Sequence, residues 1–108
     1  MFAVKQAECV ITSVSYTYGN NRKIYSIEVR MLNDDGSLSK PIFWSRQKLL
    51  HAITTFNVGF ITAMYIPEER GNFFLSDKVA IVMVDGVEYI RTDGNDIAED
   101  DLGYLPQF

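Results

Sequence analysis

The chain is predicted to adopt an α+β fold, in which an antiparallel sheet of about five strands, in the order β-β-α-β-β-β, carries one amphipathic helix on one face. β-branched and aromatic residues are concentrated in short runs, and turn signals such as Asp85-Gly86 separate these runs. Only one stretch, beginning after Ser45, has apolar residues at helical spacing. With 108 residues, 47% of them hydrophobic, the chain is predicted to form a single domain over residues 1–108 with one core.

The clearest element is a hairpin over residues 79–92. Asp85-Gly86 supplies the two positive-φ positions of a type I′ turn, and a two-residue loop fixes the register. Val82 is therefore predicted to face Tyr89, with Arg91 on the same face of the hairpin. Both faces are largely apolar, which predicts a place inside a larger sheet rather than at its edge.

The first part of the chain predicts a second hairpin. Residues 8–18 are dense in β-branched and aromatic side chains, and residues 23–32 alternate apolar with polar ones. A turn signal at residues 19–22 lies between them. Residues 37–43 are predicted to be a loop or short strand, in which Pro41 argues against a central position.

Ser45 is a predicted helix N-cap, and the helix is predicted to cover residues 46–56. Arg46 is among the polar residues predicted to face water, and His51 is predicted to lie at the surface or at the boundary of the core. The apolar residues at helical spacing form a stripe predicted to lie on the sheet: Leu49, Ile53 and Phe56.

The region between the helix and the second hairpin is predicted to be extended. Residues 58–66 form an almost wholly apolar run, too short for a helix of usual length, and predict a buried strand. Residues 67–72 predict a turn, and residues 73–75 a short extended piece.

Charge and apolar patterning exclude several classes of protein. The net charge is −4, and residues 93–101 hold five carboxylates and no basic residue. Without clustered Lys and Arg we expect no nucleic-acid binding. No apolar stretch approaches the roughly twenty residues of a spanning helix, and residues 1–8 do not resemble a signal peptide, so no membrane association is predicted. The single cysteine, Cys9, excludes an internal disulfide and favours a cytoplasmic location.

The end of the sequence resembles a known family. Tyr89-Ile-Arg-Thr92, followed by Asp101-Leu-Gly-Tyr-Leu-Pro106, is similar to the ending of domain-of-unknown-function family thirty-eight ninety-two, small bacterial and phage proteins. That ending reads Tyr-Leu-Arg-Thr and then Asp-Asn-Leu-x-x-Leu-Pro, and Trp44-Ser45-Arg46 resembles the Ser-Arg pair before the family's helix. The chain departs from the pattern at Ile90 and at Asp100-Asp101. The resemblance implies a bacterial or phage domain and brings no assigned activity.

No residue pattern points to catalysis. His51 is the only histidine and Cys9 the only cysteine, so neither a nucleophilic pair nor a His/Cys metal site is predicted. Residues 93–96 lack the ligand alternation of a calcium loop, and no glycine-rich loop precedes the helix. We therefore predict no catalytic residue, no metal site and no cofactor.

Arg91 has two interpretations. On an apolar face it needs a partner, and the first is a structural clamp: Arg91 pairs with Asp100 or Asp101 and fastens an acidic C-terminal tail, residues 93–108, to the sheet. Leu102 and Leu105 would then dock in the core. In the second interpretation Arg91 contacts a ligand or partner. The candidates for such a contact are Arg91, Tyr89, Trp44 and Arg46.

Three function classes remain open at this point. The favoured class is a small non-catalytic binding module that recognises protein or self-associates, because interface residues are present and catalytic ones are missing. Open sheet edges and aromatic residues around Trp44 predict a homo-oligomer. The alternative is a module binding a small anionic ligand such as a nucleotide signal, through Arg91 with Arg22, Lys23 or Arg46. The third class is an enzyme using carboxylates alone, such as Glu28 or Glu88 with a tail aspartate.

Overall fold

The structure, a computed structural model, describes residues 9–19, 21–65 and 73–108. The predicted α+β class is confirmed. Residues 1–8, Asn20 of the predicted turn at 19–22, and the predicted turn at 67–72 lie outside the described residues. The elements are β1 (Cys9–Thr17), β2 (Lys23–Met31), β3 (Ile42–Ser45), α1 (Arg46–Thr54), β4 (Phe60–Tyr65), β5 (Phe73–Lys78), β6 (Ala80–Val84) and β7 (Val87–Arg91).

Five strands form the main sheet, in the order β3-β2-β1-β4-β5. The predicted β1–β2 hairpin is confirmed, and β3, which follows Pro41, lies at an edge as the proline indicated. The sheet is mostly antiparallel, as predicted, and the exception is β4, which runs parallel to β1. Helix α1 is the crossover connection that carries the chain back between β3 and β4, so β4 enters the sheet in the same direction as β1.

The second hairpin has the predicted register. Val82 faces Tyr89, and the turn residues Asp85 and Gly86 have φ of 51° and 80°. Its predicted place inside the larger sheet is wrong, because β6 and β7 form a separate two-stranded sheet. One face of the hairpin is apolar because it packs on the core, where Ile90 is fully buried. Apolar residues on a hairpin are compatible with pairing inside a sheet and with packing on a core, and here packing buries them.

Helix α1 begins as predicted. The Ser45 hydroxyl accepts a hydrogen bond from the Lys48 backbone N–H at 3.2 Å. The helix ends at Thr54, two residues before the predicted end, so Phe56 no longer follows the helical spacing and is 67% exposed. Leu49 is fully buried, as the stripe predicted.

The C-terminal segment, residues 100–108, pairs through Asp101 with Arg91 of β7, and its end lies along β1. Strand β4 pairs with β1 only over Cys9–Ile11, and farther along the backbone of Val14 donates to Pro106 and accepts from Phe108. A register shift between Ile11 and Ser13 separates the two pairings. The segment adds Leu102 and Leu105 to the core cluster, whose other buried members are Cys9, Ile11, Val14, Ile24, Ile27, Val29, Leu49, Ala52, Phe60 and Ile90.

Candidate functional site

The carboxylate of Asp100 lies at the junction of three elements and is fully buried. It accepts four hydrogen bonds: from Arg46 Nε at 2.7 Å, from Arg46 Nη2 at 3.2 Å, from the backbone N–H of Ile24 at 2.8 Å and from that of Ile90 at 2.9 Å. Ile24 belongs to β2, Arg46 to α1 and Ile90 to β7. A buried carboxylate persists only when charge and hydrogen bonds compensate its lost hydration, and both do so here.

Arg46 does not face water, which corrects the prediction from helical periodicity. Its side chain is 20% exposed, and its Nη2 also donates to the Glu88 backbone oxygen at 2.7 Å. Periodicity identifies the helix face that lies on the sheet, but it carries no information about a carboxylate 54 residues farther along the chain. The Arg46–Asp100 pair was therefore missed from the sequence.

Arg91 is 2% exposed and is bound chiefly by Asp93. Its Nε and Nη2 each lie 2.7 Å from a carboxylate oxygen of Asp93, and its Nη1 donates to the Glu99 backbone oxygen at 2.8 Å. Of the two predicted partners, Asp101 forms an ion pair with Arg91, with its Oδ2 3.6 Å from Nη2, whereas Asp100 binds Arg46 instead. The hydrogen bonds between Arg91 and Asp93 hold the pKa of Asp93 well below its usual range. The same hydrogen bonds raise the pKa of Arg91.

A third arginine, Arg22, completes the network. Its Nη2 lies 3.2 Å from the carboxylate of Asp101, and its Nε donates to the Asp100 backbone oxygen at 3.1 Å. Its guanidinium stacks over the ring of Tyr16, 4.6 Å from the centroid. The Tyr16 hydroxyl accepts from the Leu102 backbone N–H at 2.9 Å, and burial raises the pKa of this tyrosine. We call the pairs Arg46–Asp100, Arg91–Asp93 and Arg22–Asp101 the arginine–aspartate network.

An open cleft of about 380 Å³ lies beside this network. Tyr104 is 95% exposed at its rim. Gly103 has φ of +76°, a conformation that favours glycine, and a Cβ added there would lie 3.7 Å from Thr92 Oγ1. The lining residues are Arg22, Thr92, Asp93, Asp101, Gly103 and Tyr104.

The four predicted contact residues are distributed between two places. Arg91, Tyr89 and Arg46 all lie within or beside the arginine–aspartate network, and Tyr89 is 4% exposed with its hydroxyl accepting from Asn21 Nδ2 at 3.1 Å. Trp44, on β3, is half-buried; its ring packs edge-to-face on Phe60 and lies under Lys48 Nζ at 4.7 Å. The first three are therefore engaged with other parts of the chain, while their roles in binding stay predictions.

A second surface, which we call the aromatic edge, comprises Ile42, Phe43 and Phe108. Ile42 and Phe43 belong to β3, and Phe43 packs edge-to-face on Phe108 with ring centroids 5.6 Å apart. Their exposures are 49%, 58% and 57%. Within the described part of the chain, the outer edge of β3 pairs with no strand. Nothing in the sequence joined Phe108 to Phe43, because 65 residues separate them.

The fold and its sites define an α+β protein whose C-terminal segment is held by the ion pair between Arg46 and the buried carboxylate of Asp100. Comparison of the chain with protein-family models, curated proteins and solved structures finds no match. The resemblance of its ending to domain-of-unknown-function family thirty-eight ninety-two thus stays a prediction.

No helix in the described ranges is long and apolar enough to cross a membrane. The same ranges contain no cluster of three side chains suited to hold a metal ion.

Proposed function

We propose that this protein is a non-catalytic interaction module that self-associates through the aromatic edge. The observation that carries the proposal is the edge strand β3, on which Ile42 and Phe43 are 49% and 58% exposed beside an equally exposed Phe108. Exposed edge strands offer unpaired backbone groups to another strand, and proteins that avoid such pairing place charges or bulges there. The four residues of β3 include no charged side chain.

A two-fold pairing of β3 with β3 from a second copy supports this proposal geometrically. Such a contact is self-complementary, which is the commonest form of homodimer. It would join two five-stranded sheets edge to edge and extend backbone hydrogen bonding across both copies. The aromatic side chains of the two copies would meet near the axis, and burial of their apolar area supplies the driving force.

The other two classes receive less support from the geometry. A small anionic ligand needs guanidinium groups whose charge is not already paired, whereas Arg46, Arg91 and Arg22 each form an ion pair with a carboxylate of the chain itself. An enzyme using carboxylates alone needs two that converge. The Glu28 carboxylate on β2 accepts a hydrogen bond from the Thr12 hydroxyl on β1 and lies near Arg30, so it links these two strands.

Light scattering after size-exclusion chromatography, at concentrations across the micromolar range, tests the proposal. We expect the mass of the wild-type protein to rise from monomer to dimer, and Phe43→Lys to stay monomeric because a charge at the pairing edge is unfavourable. The matched control is Leu75→Lys on β5, the opposite edge of the same sheet, where Leu75 is 45% exposed.

Each variant changes an exposed side chain, so we expect both to fold, and circular dichroism checks this. A wild-type protein that remains monomeric at every concentration contradicts self-association. So does equal disruption by Phe43→Lys and Leu75→Lys, because pairing through β3 leaves β5 free.

A further inference from the structure

We propose that the cleft between Thr92 and Tyr104 binds a neutral, polyhydroxylated ring, the chemistry of a saccharide. This site lies apart from the aromatic edge and does not depend on self-association. Its volume of about 380 Å³ falls within the range of small-molecule sites. The class of ligand follows from which polar atoms of the lining are already used and which remain available.

Asp93 has no capacity left for a ligand. One of its oxygens accepts from Arg91 Nε and the Asn95 backbone N–H, and the other from Arg91 Nη2 and Asn95 Nδ2. Two hydrogen bonds occupy the two in-plane lone pairs of each carboxylate oxygen. Asp93 therefore shapes the wall of the cleft and holds Arg91 in place.

Asp101, Arg22 and Thr92 retain hydrogen-bonding capacity. Asp101 Oδ1 accepts one hydrogen bond, from the Gly103 backbone N–H at 2.8 Å, which leaves a lone pair. Arg22 uses Nε and Nη2 within the chain, and no described residue accepts from its Nη1. The Thr92 hydroxyl likewise bonds to no described residue. An acceptor, a guanidinium donor and a hydroxyl around one cleft match adjacent hydroxyl groups, each of which both donates and accepts.

The charges of the cleft favour a neutral ligand. Arg22 and the Arg91 behind the wall contribute two positive charges, and Asp93 and Asp101 contribute two negative ones. An anion would approach two carboxylates and a cation two guanidinium groups, so neither gains a net attraction. Tyr104, 95% exposed at the rim, offers an aromatic face for the C–H side of a sugar ring.

Titration of the ¹⁵N-labelled protein, followed by amide chemical shifts, tests this site. The neutral probes are methyl α-glucoside, N-acetylglucosamine and maltose; inorganic phosphate and putrescine serve as the anionic and cationic probes. We expect at least one neutral probe to shift the amides of residues 92–93 and 101–104, with a dissociation constant of about 1 mM. Tyr104→Ala should weaken this binding about three- to tenfold. The control Tyr25→Ala removes another exposed tyrosine, 67% exposed on β2, and should leave the binding unchanged.

The two variants change side chains at the surface, so both should keep the wild-type spectrum outside the mutated site. Absence of shifts with all three sugars at tens of millimolar overturns the proposal. Shifts of the same amides by phosphate or putrescine alone also overturn it, because they assign the cleft to a charged ligand. Binding that Tyr104→Ala and Tyr25→Ala affect equally removes the role of the rim tyrosine and the proposed ring ligand with it.

Discussion

Arg46 Nε lies 2.7 Å from Asp100 Oδ2, and this contact joins the first turn of α1 to the C-terminal segment. The same carboxylate also accepts hydrogen bonds from the backbone N–H groups of Ile24 and Ile90, so one side chain holds β2, α1 and β7 together. The C-terminal segment is therefore part of the framework of the fold rather than an appendage to it.

Asp100→Asn should be strongly destabilising. An amide presents an N–H₂ group where the carboxylate accepts from backbone N–H and from Arg46, and it leaves the Arg46 charge without its counter-ion. Breaking one partner of a buried pair costs about 3 to 5 kcal/mol, and we expect that loss in the free energy of unfolding measured with urea. Asp96→Asn, which changes an exposed aspartate nearby in the chain, should change stability by less than about 0.5 kcal/mol.

A double-mutant cycle with Arg46→Met isolates the pair. Arg46→Met alone leaves Asp100 as a buried charge without its cation. The summed losses in free energy of unfolding of Arg46→Met and Asp100→Asn should therefore clearly exceed the loss in the variant that carries both changes. Additive costs would mean that Asp100 acts only through its backbone partners.

Arg91→Ala should lower the free energy of unfolding by about 2 to 4 kcal/mol, through loss of a buried guanidinium that links Asp93 to the Glu99 backbone. Deletion of residues 100–108 should cost at least as much, because it removes Asp100, Leu102 and Leu105 from the interior. Lys40→Ala, at an exposed site, is the matched control for loss of a positive charge. If Arg91→Ala unfolds at the same urea concentration as the wild type, the result would favour contact with a ligand or partner over a structural role for Arg91.

Acid should destabilise the protein partly through Asp93. Its pKa is lower in the folded than in the unfolded chain, so its contribution is present above the ordinary aspartate pKa of about 4 and is lost as the pH falls toward the folded value. Thermal unfolding followed from pH 7 down to pH 3 should show a decline below about pH 4 that is shallower in Asp93→Asn. An identical acid limb in the wild type and this variant would contradict the Arg91–Asp93 contact.

Gly86→Ala should destabilise the second hairpin by about 1 to 2 kcal/mol, because Gly86 has φ of 80° and an added Cβ is strained there. Space is not the reason, since nothing lies within 4 Å of such a Cβ. Gly19→Ala provides the control, because its surroundings are equally open and its φ lies outside the left-handed region. Equal unfolding midpoints of the two variants would contradict the type I′ turn.

Features that depend on a few neighbouring residues were predictable from the amino-acid sequence. The turn at Asp85-Gly86 needs only two residues that accept positive φ, and the cap at Ser45 needs only a hydroxyl before the first helical turn. The register of the second hairpin followed from its loop length, and the edge position of β3 from Pro41. Each of these structures forms from groups that are already close along the chain.

Features that join distant segments were not predictable in the same way. The apolar faces of the second hairpin are compatible with strand pairing and with packing on a core, and only assembly of the core selects the second. The parallel β1–β4 pair depends on the return path through α1. Asp100 could pair with any nearby arginine. It binds Arg46 rather than Arg91 because packing of α1 against β2 places the Arg46 guanidinium beside the carboxylate, whereas Arg91 is bound by Asp93, only two residues away in the chain.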